Sequence, residues 1–305
     1  MTIALISHND CILHDMGSGH PECPERIGAI NKVLTCGELA SHISQYDAPL
    51  VSKQALYATH DKNYVDSIFA SSPTEGMTQL DPDTAMNQYT LQAAQRAAGA
   101  VIHAVDLVME DKHKVAFCNV RPPGHHAEYD RAMGFCFFNN IAVGARYALD
   151  KWNLERVAII DFDVHHGNGT EDIFRNEPRV MLCSTFQSPL YPYKGDQTVS
   201  DHIINISLSS GCDGDGYRRV VEKAMLPKLE TYQPELVFFS AGFDAHKDDP
   251  LAGLKLVEED YAWITLKVKE IADQYAQGRI VSSLEGGYRL EALARSVEAH
   301  LNALK

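Results

Sequence analysis

Val157-Ala-Ile-Ile-Asp161-Phe-Asp163-Val-His165-His166-Gly167-Asn168-Gly169 passes, within thirteen residues, from an apolar β-rich run to a cluster of acids, imidazoles and glycines. A run this apolar reads as a strand buried on both faces, which is the strand of a parallel sheet covered by helices. Open sheets of that kind bind ligands beyond the carboxyl ends of their strands, so the polar cluster marks a site. Working outward, apolar runs at 3–7, 115–118, 157–163, 180–184, 203–208, 236–241 and 280–285 alternate with segments of helical period at 24–34, 60–70, 88–108, 140–150, 216–230, 258–275 and 290–303. The alternation predicts an α/β fold with a central, mostly parallel sheet and helices on both faces. Pro24 suits a first helical turn, where its missing N–H costs nothing. No repeat, low-complexity tract or Pro/Ser-rich linker interrupts the pattern, so residues 1–305 are expected to form one domain.

Composition narrows the function classes. With 305 residues and 45% hydrophobic content the chain can bury a large core. It contains no run of eighteen apolar residues, and its amino end lacks the basic flank and apolar centre of a signal peptide. A cytoplasmic protein without a membrane partner is expected. The formal net charge of -14 and the lack of a Lys/Arg stripe oppose nucleic-acid binding. An acidic surface suits a cationic partner, and equally keeps a protein soluble. Seven cysteines without Cys-x-x-Cys spacing predict buried free thiols and no disulfide framework. Oligomeric state leaves no trace in the sequence.

The chemistry sits in the loops after the strands. Asp163 and His165 are two residues apart on a chain leaving a strand, so both side chains point to one side. Asp244, in Ala241-Gly-Phe-Asp244-Ala-His246, follows another apolar run and can complete a three-residue set. Two carboxylates and an imidazole suit Zn²⁺ with a position open to water, and Fe²⁺, Co²⁺ or Mn²⁺ accept the same donors. In Arg121-Pro-Pro-Gly-His125-His126-Ala-Glu128 an adjacent histidine pair follows a rigid turn. One imidazole near a metal-bound water can take its proton, with Asp161 and Asn168 as natural orienters. In Leu284-Glu-Gly-Gly-Tyr288 the glycines bring backbone close to a ligand, and a phenol there can donate to a carbonyl oxygen gaining charge. Gly211-Cys-Asp-Gly-Asp-Gly216 lacks phosphate-loop spacing and reads as a turn opening a helix.

These motifs, with Gly134-Phe-Cys-Phe-Phe-Asn-Asn140 and His20-Pro-Glu-Cys-Pro-Glu-Arg26, resemble the zinc-dependent histone deacetylase family in its class II and bacterial deacetylase-like branch. The resemblance runs over nearly the whole chain in the family's order. It implies the arginase/deacetylase type of three-layer fold and hydrolysis of acetyl or other acyl groups from the side-chain amine of lysine, releasing acetate. Asp163, His165 and Asp244 would hold zinc, His125 and His126 form the histidine pair, and Tyr288 activate the carbonyl. Asp161 would stand behind His125 and Asn168 behind His126, where many family members have Asp. Gly134, Phe135 and Tyr191 resemble walls of a narrow acyl-lysine tunnel, Asp83 a rim carboxylate that grips the substrate backbone, and Arg26 the lining of an acetate exit. A structural potassium would sit on Asp161, Asp163, His165, Ser184 and Thr185, partly through backbone oxygens.

Substrate choice is the open point. Relatives that prefer acetylated polyamines resemble one another in an acidic gatekeeper beyond the third zinc ligand, and the matching position here is Leu251, with Asp248 and Asp249 nearby as attractors of a polycation. An acyl-lysine deacylase is therefore expected, with an acetylpolyamine amidohydrolase as the alternative. A ureohydrolase of the arginase type would need two metals and more bridging carboxylates. A binding module on an inactive deacetylase fold is opposed by the intact histidine pair and Tyr288.

Overall fold

Side chains alternate across each apolar run, and that alternation builds two cores. In the computed structural model, which describes residues 2–305, the strands are β1 (Ile3–Ser7), β2 (Ile43–Asp47), β3 (Met77–Asp81), β4 (Thr84–Asn87), β5 (Val115–Cys118), β6 (Val157–Asp161), β7 (Val180–Gln187), β8 (Ile203–Leu208), β9 (Leu236–Ala241) and β10 (Ile280–Leu284). On β9, Val237 and Phe239 face one core while Leu236 and Phe238 face the other. The first core is closed by the helices Glu25–Cys36, Glu258–Tyr275 and Leu290–Leu304, the second by Thr90–Met109 and Asn140–Trp152. At about 25 cal/mol per Å² of apolar surface removed from water, two such layers supply the main favourable term in folding.

Eight strands pair in the order β2-β1-β5-β10-β9-β6-β7-β8, and every neighbouring pair is parallel. The only antiparallel pairing among the described strands is the hairpin β3–β4 outside this sheet. The chain builds β5 and β6 with a gap between them, and β9 and β10 fill that gap last. Four central neighbours, β5, β10, β9 and β6, therefore end side by side, and the segments after them carry the motifs at 121–128, 134–140, 161–169, 241–246 and 284–288, while the motif at 20–26 follows β1. Among the described residues no helix is long and apolar enough to cross a membrane.

Several elements depart from the sequence reading. β6 stops at Asp161 instead of 163, because Asp163 turns out of the ladder toward the site, and β7 continues to Gln187. The strand β2 and the hairpin were not foreseen: Ile-Ser-Gln-Tyr-Asp is a half-exposed edge strand paired only to β1, too polar to stand out. The helix expected at 216–230 runs instead as Gly214–Val220 and Leu226–Tyr232, joined by a π-helical turn at Val221–Met225. Pro227 has no N–H to donate back into that turn, which accounts for the wider register. All seven thiols are free, but Cys36 is exposed and Cys23 and Cys212 are half-buried, so only four are the buried thiols expected.

One buried charge cluster ties the amino-terminal segment to the loops after β5 and β10. Glu22 is fully buried and accepts from Arg26 Nη1 at 3.0 Å and from the guanidinium of Arg121 at both oxygens, while His14 Nε2 lies 3.4 Å away. Burial opposes its charge, yet Arg121 and His14 hold the carboxyl well below its usual range. Arg121 also donates to the carbonyls of Cys11 and His14, at 2.9 and 3.0 Å. Uncoupling a buried pair leaves an uncompensated charge, so Glu22→Gln should lower the unfolding free energy by about 3–5 kcal/mol. Urea unfolding followed by tryptophan fluorescence measures this, and a loss below about 1 kcal/mol, the size of a surface pair, would contradict it.

Candidate metal centre and active site

The end of β6 and the end of β9 bring three ligand atoms together. Asp163, His165 and Asp244 each offer one donor within 4.8 Å of the others, the one such group of three among the described residues. His165 Nδ1 is 3.1 Å from Asp163 Oδ1 and 3.1 Å from Asp244 Oδ2, which identifies Nδ1 as the ring atom facing the carboxylates. Backbone donors fix both acids: Gly286 N–H donates to Asp163 Oδ2 at 2.9 Å, and Val164 N–H donates to Asp244 Oδ1 at 2.9 Å. A Cβ on Gly286 would come within 2.1 Å of Asp244 Oδ2 and 2.6 Å of Asp163 Oδ2, so only glycine lets this backbone close over the acids.

The electrostatics ask for a cation. Burial, reinforced by the charge of Asp163, pushes the Asp244 carboxyl up to about 7. Burial opposes charge on His165 as well, but its hydrogen bonds to Asp163 and Asp244 outweigh that and raise the imidazole to about 10. Asp163 is lowered against its burial by His125 and His165. Three groups that share protons in this way form the donor set a divalent ion takes up by displacing the proton from the ring. Two carboxylates and one imidazole balance most of a double positive charge and leave coordination positions for water or substrate.

The loop after β5 sets the histidine pair against this centre. His125 Nδ1 is 2.9 Å from Asp161 Oδ2, its Nε2 is 3.8 Å from Asp163 Oδ2, and its ring centroid is 4.0 Å from that of His126. His126 Nδ1 is 2.7 Å from Asn168 Oδ1. Burial disfavours both imidazolium ions, but Asp161 and Asp163 overcome it at His125, which is raised well above the usual range. His126, with a neutral partner and with His125 and His165 beside it, is held well below that range by burial and by those neighbours. Glu285 Oε2 accepts from the N–H groups of Gly124 and His125, at 2.7 and 3.1 Å, and so pins the loop to β10.

Tyr288 approaches from β10. Its ring stands edge-on to Phe135 at 6.0 Å with the Arg26 guanidinium 5.2 Å from its centroid, and the charges of Asp244 and Asp163 reach its phenol. Its N–H donates to Asp249 Oδ2 at 2.7 Å, and Leu251 N–H donates to Asp249 Oδ1 at 3.0 Å. Asp249 is thus buried with both carboxylate oxygens accepting backbone N–H groups; Asp248 lies 3.6 Å from Arg295. Arg26 donates to the carbonyls of Gly287 and Glu285, placing it beneath the tyrosine loop.

Around the opening, Gly134 and Phe135 both take positive φ, +56° and +69°, which turns Phe135 toward Tyr288. Phe135 N–H donates to Thr84 Oγ1 at 3.0 Å, and Asp83 is held by Thr84 and by the backbone of Gly134, bringing the β3–β4 hairpin to the rim. Tyr191 stands edge-on to His126 at 5.2 Å and to His165 at 6.3 Å, while Leu251 is partly exposed nearby in sequence to Asp249. Ser184 lies opposite Asp161 in the β6–β7 register, and Thr185 Oγ1 is 3.5 Å from Asp161 O. Sequence reasoning missed the roles of Glu22, Glu128 and Glu285 in this assembly, and named Asp249 without its hold on backbone. Each acts through contacts distant in sequence, and the only available signal was their place within or beside the quoted motifs.

A histone deacetylase domain matches residues 20–304. The chain is 39% identical to an uncharacterized protein of Synechocystis over 308 residues, covering 99% of each. It is 34% identical to the histone deacetylase-like amidohydrolase of Pseudomonas aeruginosa over 278 residues, covering 89% of this chain and 73% of that one. The crystal structure of the HDA15 HD domain matches with a TM-score of 0.92 at 30% identity, over 100% of this chain and 90% of that one. A parallel sheet whose four central strands deliver this constellation, matched along nearly all of its length, places the chain in the histone deacetylase family of hydrolases.

Proposed function

We propose that the protein is a zinc-dependent deacylase of acyl-lysine side chains in peptides or proteins, working in the cytoplasm. The observation that carries this reading is the pairing of one three-ligand cluster with two histidines whose orienting partners differ, Asp161 for one and Asn168 for the other. Zn²⁺ is the ion that suits the donor set best, with Fe²⁺ and Co²⁺ as substitutes. Held by Asp163, His165 and Asp244, such an ion supplies Lewis acidity toward the amide carbonyl and toward water. Potassium on Asp161, Asp163, His165, Ser184 and Thr185 belongs to the same reading and would brace the loop after β6.

The residues divide the remaining work. His126, neutral and with its Nδ1–H given to Asn168, presents Nε2 to take a proton from the attacking water. His125, its charge supported by Asp161, gives a proton to the lysine nitrogen as the C–N bond breaks, so that amine and acetate leave. Paired groups pushed in opposite directions are the usual mark of an acid and a base sharing one site. Tyr288 donates its hydroxyl hydrogen to the carbonyl oxygen as negative charge develops there, with the Phe135 ring standing edge-on beside it. Arg26, beneath the tyrosine loop, would line the exit of acetate in this reading.

Acyl-lysine is preferred over acetylpolyamine because the side chain at the gatekeeper position, Leu251, is apolar and the carboxylate of Asp249 is spent on backbone N–H groups. Asp83 at the rim is placed to accept from the backbone of a peptide. An acetyl-lysine peptide should therefore show a higher kcat/KM than N-acetylputrescine, and a large preference for the polyamine would reverse the assignment. Removing the phenol oxygen in Tyr288→Phe should lower kcat by about 10²–10³ with the bound metal unchanged. Unchanged turnover in that variant would remove Tyr288 from the mechanism.

A further inference from the structure

Asn168 is the weak point of the arrangement above, because an amide has two nearly isosteric ends. With its oxygen toward His126 it accepts the Nδ1 hydrogen and leaves Nε2 as a lone pair. Turned over, it would donate to Nδ1, drive the ring proton to Nε2 and remove the base. An Asp at this position has no such second orientation.

The carboxylate of Glu128 resolves the ambiguity. Asn168 Nδ2 donates to Glu128 Oε1 at 2.7 Å, on the side of the amide away from the ring. An ionised carboxylate has no hydrogen to give, so it accepts only the NH₂ end and repels the oxygen. Glu128 is itself fixed before any substrate arrives: its N–H donates to Arg131 O at 2.9 Å, and its carbonyl oxygen lies 2.9 Å from His60 Nδ1. Its side chain is 12% exposed, and Lys194 Nζ donates to the same Oε1 from a half-exposed position. Solvent screens that lysine, so the bond to Asn168 carries the effect.

We propose that Glu128 is a positioning residue that fixes the proton of His126 through Asn168, so that Nδ1–H donates to the amide oxygen and Nε2 stays free to accept. The Glu128 side chain bonds to Asn168 and Lys194, and reaches His126 only through the amide. The proposal rests on the deacylase reading for its kinetic consequence, but the orientation of the amide and the ring tautomer are properties of the protein alone.

The test is a set of variants of the full, zinc-loaded chain: Glu128→Gln, Glu128→Ala, Asn168→Asp and the double variant Asn168→Asp with Glu128→Gln. Glu128→Gln, which lets the paired amides turn over together, should lower kcat on an acetyl-lysine peptide about tenfold, the lower end of effects seen for residues behind metal-site groups. KM and zinc content should stay as in the wild type. In the Asn168→Asp background two carboxylates face each other, so the same Glu128→Gln change should raise kcat. That reversal of sign is not expected of a residue that merely supports packing. Side-chain ¹⁵N spectra of histidine-labelled protein, with His126 assigned by difference against His126→Phe, should show Nδ1 protonated in the wild type and a mixture of tautomers in Glu128→Ala. Glu128→Gln lowering kcat equally in both backgrounds, or in neither, would overturn the proposal, as would a His126 tautomer indifferent to Glu128→Ala. If the wild type hydrolysed no acyl-lysine substrate, the deacylase reading would fail, and the ¹⁵N spectra would still decide the role of Glu128.

Discussion

Two buried carboxylates converge on one imidazole, and the rest of the molecule is arranged around that convergence. Asp163 and Asp244 would repel each other in a medium of low polarity, and burial alone drives Asp244 toward its neutral form. A divalent cation would resolve the conflict better than any proton can, because it would satisfy both acids and the ring at once. The fold meets this demand by closing the sheet late: β9 and β10 enter between β5 and β6, so that one strand delivers Asp244 and the next the Gly-Gly backbone that covers both acids. A side chain at Gly286 would occupy the space the carboxylates need.

Outward from the metal centre, support comes from groups that hold backbone in place. Glu22 gathers Arg26 and Arg121, and these reach the tyrosine loop and the base of the histidine loop respectively. Glu285 and Asp249 each accept two backbone N–H groups, one pair leading to His125 and the other to Tyr288. Positions held from several directions keep a site near its working geometry without reorganisation during the reaction. The two histidines share this scaffold but not their surroundings: Asp161 and Asp163 raise His125 against its burial, whereas burial and the neighbouring His125 and His165 lower His126.

Much of the fold could be read from the chain because buried parallel strands are apolar on both faces and end abruptly in Gly, Asp and His. The residues of the site were found by the same punctuation: Asp163, His165 and Asp244, singled out by their places after strands, are the three whose donors the structure brings together. What escaped has a common cause. The strand Ile43–Asp47 is polar because it lies at an edge, and the hairpin is short, with its Met77–Asp81 strand polar and partly exposed and only Thr84–Asn87 largely buried. Asp249 looked like a surface acid beside Asp248 because sequence shows neighbours along the chain but not the N–H of Tyr288 across the loop. Glu22 and Glu128 have partners distant in the chain, Arg121 and Asn168, that no local pattern announces.

The whole arrangement turns on one bound cation. Zn²⁺ titrated into metal-stripped protein, with bound metal counted by mass spectrometry of the intact complex, should fill one tight site per chain, and Asp244→Ala should abolish that site while leaving the fold intact by circular dichroism. Failure to bind a divalent ion, two tight ions per chain, or tight binding that survives Asp244→Ala would contradict it.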